Sequence, residues 1–141
     1  MLDFSVSLWP LLVVAVANFI LSWIYYSPAV PWFKIWQVAV GMDPNKKEMS
    51  EEDKKAMPGL MLGAVIATLL LSYGLQIVMH SLKVTDFVSG LEVGVVFWAI
   101  FAVTQSLNAR FEGKKFSLFI INSVWYLITY AGFGGLVAVW R

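Results

Sequence analysis

A single glutamate, Glu92, lies inside a long apolar run of the sequence and is the residue there most able to do chemistry. It is about six residues into the run 87–109, roughly 9 Å beyond the start of a helix. A charge at the bilayer centre costs ~2.5–3.5 kcal/mol on insertion scales, and less near the surface. Glu92 is therefore either satisfied by a neighbouring polar group or used as a protonatable site.

A stripe of polar residues follows the run 58–80 at four-residue intervals: Thr68, Ser72, Gln76 and His80. Each interval advances about 40° around a helix, so the stripe turns slowly and is expected to face protein. Counted back from the turn near Lys83, Gln76 lies at the depth of Glu92, and His80 lies nearer the surface. We predict a Gln76–Glu92 hydrogen bond with His80 above it, serving either structure or one wall of a polar path.

A second polar cluster is predicted toward the opposite membrane face, formed by Ser22, Gln105, Asn122 and, deeper, Asn18. Hydrogen bonding between helices accounts for such a cluster without any further function. The alternative is that it joins the polar stripe through Thr68 and Ser72 and lines a route across the bilayer.

Glycines at four-residue spacing occur twice, as Gly90 with Gly94 around Glu92 and as Gly59 with Gly63. Small residues in this G-x-x-x-G pattern let another helix approach closely, so we predict helix packing at both pairs. Three more glycines, Gly132, Gly134 and Gly135, indicate either a packing face or a segment that kinks.

The elements that carry these residues are membrane spans. The chain of 141 residues is 60% hydrophobic and 13% charged, with mean hydropathy +0.75, whereas soluble domains are roughly 25% charged. Four apolar runs reach the ~20 residues that a span requires, at about 8–26, 58–80, 87–109 and 116–140. We predict one all-α membrane domain, 1–141, folded as a four-helix bundle. No Lys or Arg precedes the first run, so we expect it to remain as a membrane helix.

The connection 27–57 differs from the short turns elsewhere. Pro28 ends the first span, and Pro31 fits the start of a short amphipathic helix in the membrane interface. Its aromatic residues Trp32 and Trp36, together with Tyr26, are expected to act as interfacial anchors. A charged segment follows, in which Ser50 and Asp53 resemble a capping box. Pro58 then fits the first turn of the second span.

The distribution of Lys and Arg predicts the orientation of the chain. Loops one and three hold eight of these residues and the other side holds two. The loops should therefore face the cytoplasm and both termini the outside, in what we take to be a bacterial cytoplasmic membrane.

Several functional classes are disfavoured by composition. The chain has no cysteine, one histidine and a net charge of +1. It lacks a phosphate-binding glycine loop, a nucleophile elbow and a pair of metal-ligand residues. We therefore expect no cofactor, no metal, no nucleic-acid partner and no enzymatic activity.

Two stretches carry a family resemblance: NFILSWIYYSPAVPWFKIW and NARFEGKKFSLFIINSVWYLITYAGFGGLVAVWR. Together they resemble the small bacterial integral membrane proteins grouped as domain of unknown function 1761. The resemblance implies a four-span membrane protein and assigns no substrate, cofactor or catalytic residue. The positions that match are Tyr26, Ser27, Pro28, Trp36, Asn122 and Tyr126. The family often has Phe-Gly ahead of its Lys and Trp, whereas this chain has Pro31, Trp32 and Phe33 before Lys34.

Three functions remain open. The first is a structural or interaction protein that packs in the bilayer as a homo-oligomer or as the accessory subunit of a larger complex. The second is a small oligomeric transporter or channel that uses Glu92, His80 and Gln76. The third is a lipid- or quinone-modifying enzyme with His80 and Glu92 as an acid–base pair.

Overall fold

The computed structural model describes residues 1–45 and 49–140, and its regular structure in these ranges is helical. The elements are α1 (Leu8–Tyr25), α2 (Phe33–Ala39), α3 (Glu51–Ser81), α4 (Phe87–Phe111), α5 (Phe116–Leu127), a π turn (Ile128–Gly132) and α6 (Phe133–Val139). Helices α1, α3 and α4 and the continuous segment Phe116–Val139 are long and apolar enough to cross a membrane. The prediction of an all-α protein with four such helices and a short helix after the first is confirmed.

Successive spans run antiparallel, which gives the bundle two ends. The terminal end holds the N-terminal segment, the α3–α4 turn and the end of α6. The loop end holds the α1–α3 connection and the α4–α5 turn. The α3–α4 turn places Lys83 at φ 55°, a left-handed conformation that is uncommon outside glycine.

Helix α3 begins earlier than the sequence predicts. Ser50 accepts a hydrogen bond from the Asp53 amide at 3.1 Å, and the Asp53 carboxylate accepts one from the Ser50 amide at 3.2 Å. This capping box starts the helix at Glu51, so Pro58 lies inside the helix. The expectation that Pro58 occupies the first turn is wrong, because the cap satisfies the first amides two turns upstream.

Helices α4 and α6 approach each other through small residues, and we call this contact the glycine seam (Gly90, Gly94, Gly134, Gly135, Ala138). A Cβ added to Gly90 would lie 2.5 Å from the Ala138 Cβ and 2.9 Å from the Gly135 Cα. A Cβ added to Gly94 would lie 2.7 Å from the Ala131 Cα, in the π turn. Only glycine allows the two backbones to come this close.

An aromatic cluster closes the loop end of the bundle, and it consists of Tyr25, Tyr26, Trp32, Trp36 and Trp125. The Trp32 indole donates a hydrogen bond to the Tyr25 carbonyl at 3.0 Å, and the Tyr26 and Trp36 ring centroids are 5.2 Å apart. Through these contacts α2 packs onto α1 and α5. Trp32, Trp36 and Tyr26 therefore hold α2 against the protein, and their role as interfacial anchors stays a prediction.

Candidate functional site

Gln76, which the sequence pairs with Glu92, is bonded elsewhere. Its Oε1 accepts a hydrogen bond from the Ser7 amide at 2.7 Å, and its Nε2 donates one to the Ser7 carbonyl at 3.2 Å. Gln76 is fully buried at this position. The two bonds satisfy the backbone of the residue that precedes α1, where no helical partner exists for the amide. The predicted Gln76–Glu92 hydrogen bond is therefore wrong.

The whole polar stripe of α3 faces α1 and the segment before it, and we call this contact the polar seam. In this seam the Asn18 Nδ2 donates a hydrogen bond to Thr68 Oγ1 at 2.7 Å, and the Ser72 Oγ donates one to the Pro10 carbonyl at 3.3 Å. The His80 Nδ1 is hydrogen-bonded to the Ser5 carbonyl at 2.8 Å. Three of the four stripe residues thus bond to backbone atoms of α1 or of the segment before it. The stripe holds the N-terminal segment along α3, which is a structural use of these groups.

One ring nitrogen of His80 takes no part in the hydrogen bonds of the polar seam. The Ser5 carbonyl can only accept, so the His80 Nδ1 carries the hydrogen of this bond. His80 Nε2 is buried and has no hydrogen-bond partner among the described residues. An open cavity of about 540 Å³ lies here at the terminal end, lined by Asp3, Ser5, Ser7, His80, Lys83 and Thr85.

Glu92 lies on the outside of the bundle. It is exposed and makes no hydrogen bond or ion pair with the part of the chain that the structure describes. Gly90 and Gly94 are each two residues away, which is about 200° around the helix. The glycines therefore face α6 while Glu92 faces away from it. The expectation that Gln76 satisfies this carboxylate is therefore wrong.

The predicted second polar cluster is divided among three environments. Asn18 belongs to the polar seam, and Ser22 donates to the Phe19 carbonyl of its own helix at 3.0 Å. Gln105 and Asn122 line one cavity between α4 and α5. The structure thus brings together two of the four residues.

The α4–α5 cavity has a volume of about 240 Å³ and lies at the loop end. Its polar lining consists of Gln105, Asn122, Ser123 and Tyr126, and its apolar lining includes Phe101, Leu118 and Phe119. The ion pair of Lys114 with Glu112 lies at its mouth.

Asn122 connects this cavity to the aromatic cluster. The Tyr26 hydroxyl donates a hydrogen bond to Asn122 Oδ1 at 2.9 Å, which leaves both hydrogens of Nδ2 available. Tyr126 packs edge-on against Phe101, with centroids 4.7 Å apart. Four of the positions that carry the family resemblance, Tyr26, Trp36, Asn122 and Tyr126, therefore lie in one contiguous region.

The π turn follows this region directly. The Thr129 hydroxyl donates to the Tyr126 carbonyl at 3.0 Å, and the helix widens from Ile128 to Gly132. Short π-helical segments are frequent at functional sites. Of the three glycines in the last span, Gly134 and Gly135 pack against α4, whereas Gly132 lies in the π turn with no atom near its missing Cβ. Gly134 and Gly135 therefore form a packing face, one of the two alternatives predicted for these glycines, whereas Gly132 does not take part in it.

The other predicted packing pair, Gly59 and Gly63, faces open space. An added Cβ at either residue would meet no described atom within 4 Å. The G-x-x-x-G spacing alone does not distinguish this open face from the occupied one at Gly90 and Gly94.

Two contacts at the site were not predicted from the sequence. The Trp98 indole donates to the Ser123 carbonyl at 2.8 Å, and the Tyr25 hydroxyl donates to the Ile121 carbonyl at 2.8 Å. Both acceptors are backbone atoms, and a backbone carbonyl has no signature in the sequence. Within residues 1–45 and 49–140, no group of three or more His, Asp or Glu side chains is placed to hold a metal ion.

The comparison with protein-family models gives one match. The model described as "Protein of unknown function (DUF1761)" covers residues 9–138. No curated protein and no solved structure matches the chain.

Proposed function

We infer that this chain, which belongs to the DUF1761 family, is an interaction protein of the membrane. It acts as an accessory subunit without enzymatic machinery and binds another membrane span through the outward face of α4. A single observation carries the proposal. Glu92, a carboxylate within a span, points away from the bundle and has no partner in the described chain. Such a group is costly in lipid and much less so beside a donor.

The chemistry of the partner follows from the chemistry of Glu92. The residues one turn away on the same face, Val88 and Val96, are 64% and 59% exposed. The face is therefore apolar with one carboxylate near its terminal end. A complementary span is apolar and presents a hydrogen-bond donor or a cation at that depth, such as the side chain of Ser, Tyr, Lys or Arg.

A second copy of the chain fits this face less well. A two-fold contact between α4 helices would place the two Glu92 carboxylates against each other, and like charges in low dielectric repel. A foreign span is therefore the occupant that we propose, and a homo-oligomer is the competing outcome.

Photo-crosslinking tests the contact. A photoreactive residue at Val96 should give one crosslinked protein species of defined mass, and the same residue at Leu70, exposed on α3, should label lipid. The Val96 crosslink should disappear in a Glu92→Leu background and persist with Glu112→Gln, an acid that pairs with Lys114 outside the spans. A Val96 crosslink that is insensitive to Glu92→Leu would contradict the proposal.

The transporter hypothesis loses its proposed path in this geometry, because Gln76 and His80 face α1 and Glu92 faces outward. It still makes one distinct prediction, which is a proton- or cation-coupled flux abolished by Glu92→Gln. A flux in liposomes that depends on Glu92 would favour it over the interaction protein. The hypothesis that His80 and Glu92 form a catalytic acid–base pair is disfavoured for the same reason, because the two side chains face different sides of the bundle.

The orientation predicted from Lys and Arg completes the proposal. The loop end, with the aromatic cluster and the α4–α5 cavity, would then face the bacterial cytoplasm, and Glu92 would lie near the outer surface. Labelling of single cysteines introduced at Asn45 and at Thr85 from either side of the membrane distinguishes this orientation from its reverse.

A further inference from the structure

The α4–α5 cavity is independent of the Glu92 face, because it lies at the other end of the bundle and on a different side of α4. Apart from the ion pair at its mouth, its lining combines uncharged polar groups with aromatic and aliphatic side chains. Ligand sites have this composition, in which apolar walls give affinity and a few polar groups give orientation. At about 240 Å³, it is smaller than the ~300 Å³ at which drug-sized sites begin. It therefore suits a head group rather than a whole large molecule.

The polar groups of the cavity have unused hydrogen-bonding capacity. The Asn122 Oδ1 is occupied by Tyr26, so its Nδ2 presents two hydrogens. The side chains of Gln105 and Tyr126 form no hydrogen bond with the residues that the structure describes. These groups present several unused donors, which a ligand that carries acceptor atoms can engage.

Charge excludes ionic ligands from the same site. The only charged residues in the lining are Glu112 and Lys114, which neutralise each other at the mouth. An anion or a cation placed beside Gln105 and Asn122 would be desolvated without a counter-charge, which is costly. A neutral acceptor such as a carbonyl oxygen is not penalised in this way.

The position of the cavity points to a ligand that resides in the membrane. Tyr126 lies ten residues into α5 and is 38% exposed, so the polar lining continues to the outer surface of the bundle within a span. An apolar tail can therefore remain in lipid while the head enters between the helices. A water-soluble molecule would use only the mouth.

We propose that the cavity between α4 and α5 binds the neutral, carbonyl-bearing head of a membrane amphiphile, with Gln105, Asn122 and Tyr126 as hydrogen-bond donors. Two membrane sources share this chemistry. One is the ring of a quinone, and the other is the ester region of a neutral glycerolipid. Asn122 is held in its orientation by Tyr26, which makes Tyr26 a positioning residue.

Native mass spectrometry of the purified full chain, titrated with each probe, tests the site and distinguishes the sources. The probes are a short-chain ubiquinone and dioctanoylglycerol, with decanoate as the anionic comparison. One of the neutral probes should bind at one molecule per chain and saturate. Saturation by ubiquinone identifies the ring carbonyl as the source, and saturation by dioctanoylglycerol identifies the ester carbonyl.

Variants locate the binding. Gln105→Leu and Tyr126→Phe each remove one hydrogen-bonding group at nearly constant volume and should weaken binding roughly three- to tenfold. Ala102→Trp should abolish binding by filling the cavity. Thr104→Val is the matched control, because Thr104 is exposed on α4 next to Gln105 and bonds to the Ile100 carbonyl of its own helix. It should bind as the original chain does.

Three results would overturn the proposal. The first is that neither neutral probe shows saturable binding. The second is that Gln105→Leu and Tyr126→Phe both bind as tightly as the original chain. The third is that decanoate binds more tightly than either neutral probe. If Ala102→Trp fails to fold, the two volume-conserving variants still decide the outcome.

Discussion

The polar seam between α1 and α3 and the glycine seam between α4 and α6 hold their helices by different physics. In the first, buried side chains such as Gln76 bond to backbone atoms of the segment that they cover. In the second, missing side chains let the backbones themselves come into contact. Lipid is as apolar as leucine, so apolar burial does not drive helices together in a bilayer. The polar seam uses hydrogen bonds between helices, and the glycine seam uses close van der Waals packing.

The comparison also shows why the intramembrane carboxylate of Glu92 is left for a partner. The polar seam uses Gln76, Ser72 and Thr68 internally, and the glycine seam requires no polar group. Glu92 is on α4, on the side turned away from its seam, and belongs to neither. A carboxylate that serves no internal contact is the feature that points outside the chain.

The largest expected effect is on the glycine seam. Gly94→Leu would place side-chain atoms against the backbone of the π turn, which cannot move aside as a flexible side chain can. We expect a loss of at least ~3 kcal/mol in the free energy of unfolding, at the upper end of overpacking effects. Thermal unfolding in detergent measures it. Gly63→Leu, the same change at an open G-x-x-x-G position, should leave stability of the isolated chain nearly unchanged. Equal destabilisation by both would contradict the distinction.

The G-x-x-x-G pattern predicts a helix contact at Gly90 and Gly94, and taken alone it would make Gly90→Leu or Gly94→Leu a test of assembly with another molecule. Because both glycines face α6, the substitution acts on the fold of the single chain. Assembly is tested at Glu92 instead.

A smaller effect is expected from the polar seam. Gln76→Leu removes two hydrogen bonds and leaves the amide and carbonyl of Ser7 without their partners. We expect about 1–2 kcal/mol of destabilisation, given ~0.6 kcal/mol for an average contact in a membrane and a larger cost for orphaned backbone groups. Unfolding of Gln105→Leu provides the control, since that glutamine has no hydrogen bond within the described ranges. If the two variants unfold alike, the seam contributes nothing.

Releasing the N-terminal segment from His80 should lower the free energy of unfolding by a still smaller amount. His80→Ala removes the bond to the Ser5 carbonyl, with a loss of ~0.6 kcal/mol. Amide hydrogen exchange at residues 5–7 should become faster, while exchange in α6 should not change. His80→Asn retains a donor near the position of Nδ1 and should restore slow exchange. Failure of asparagine to rescue would mean that ring packing, and not the hydrogen bond, holds the segment.

The smallest effect concerns the start of α4. The Asp86 carboxylate accepts a hydrogen bond from the Ser89 amide at 2.9 Å, and this bond holds the pKa of Asp86 below its usual value. The folded state thus favours the ionised form. Its contribution to stability is fully present above the ordinary pKa of 3.8 and is lost as pH falls through the lowered value. Asp86→Asn keeps a cap acceptor and should remove this pH dependence. An unchanged pH profile of unfolding in Asp86→Asn would contradict the assignment.

The sequence predicts correctly those features that depend on a single local segment. The four apolar runs, the capping box at Ser50 and the short helix after the first span depend on local composition and spacing. Pro58 was misplaced because a stronger start signal lay upstream of it. The fold class and the family therefore followed from the sequence.

The same reasoning failed at the polar residues because depth along a helix does not determine direction around it. Counting from the turn near Lys83 placed Gln76 and Glu92 at the same level, yet they point to different sides of the bundle. The partner of Gln76 is backbone, which no side-chain pattern marks. Asn122 was predicted as a member of the second polar cluster and Tyr126 through the family resemblance, whereas the cavity that they share with Gln105 required the packing of α4 against α5.

The central claim is that Glu92 binds a foreign membrane span, and mass analysis of the gently extracted native assembly tests it most directly. We predict a stoichiometric foreign protein that is retained with Glu112→Gln and lost with Glu92→Leu. A chain that is monomeric or purely homo-oligomeric, or a complex that survives Glu92→Leu, would contradict the claim.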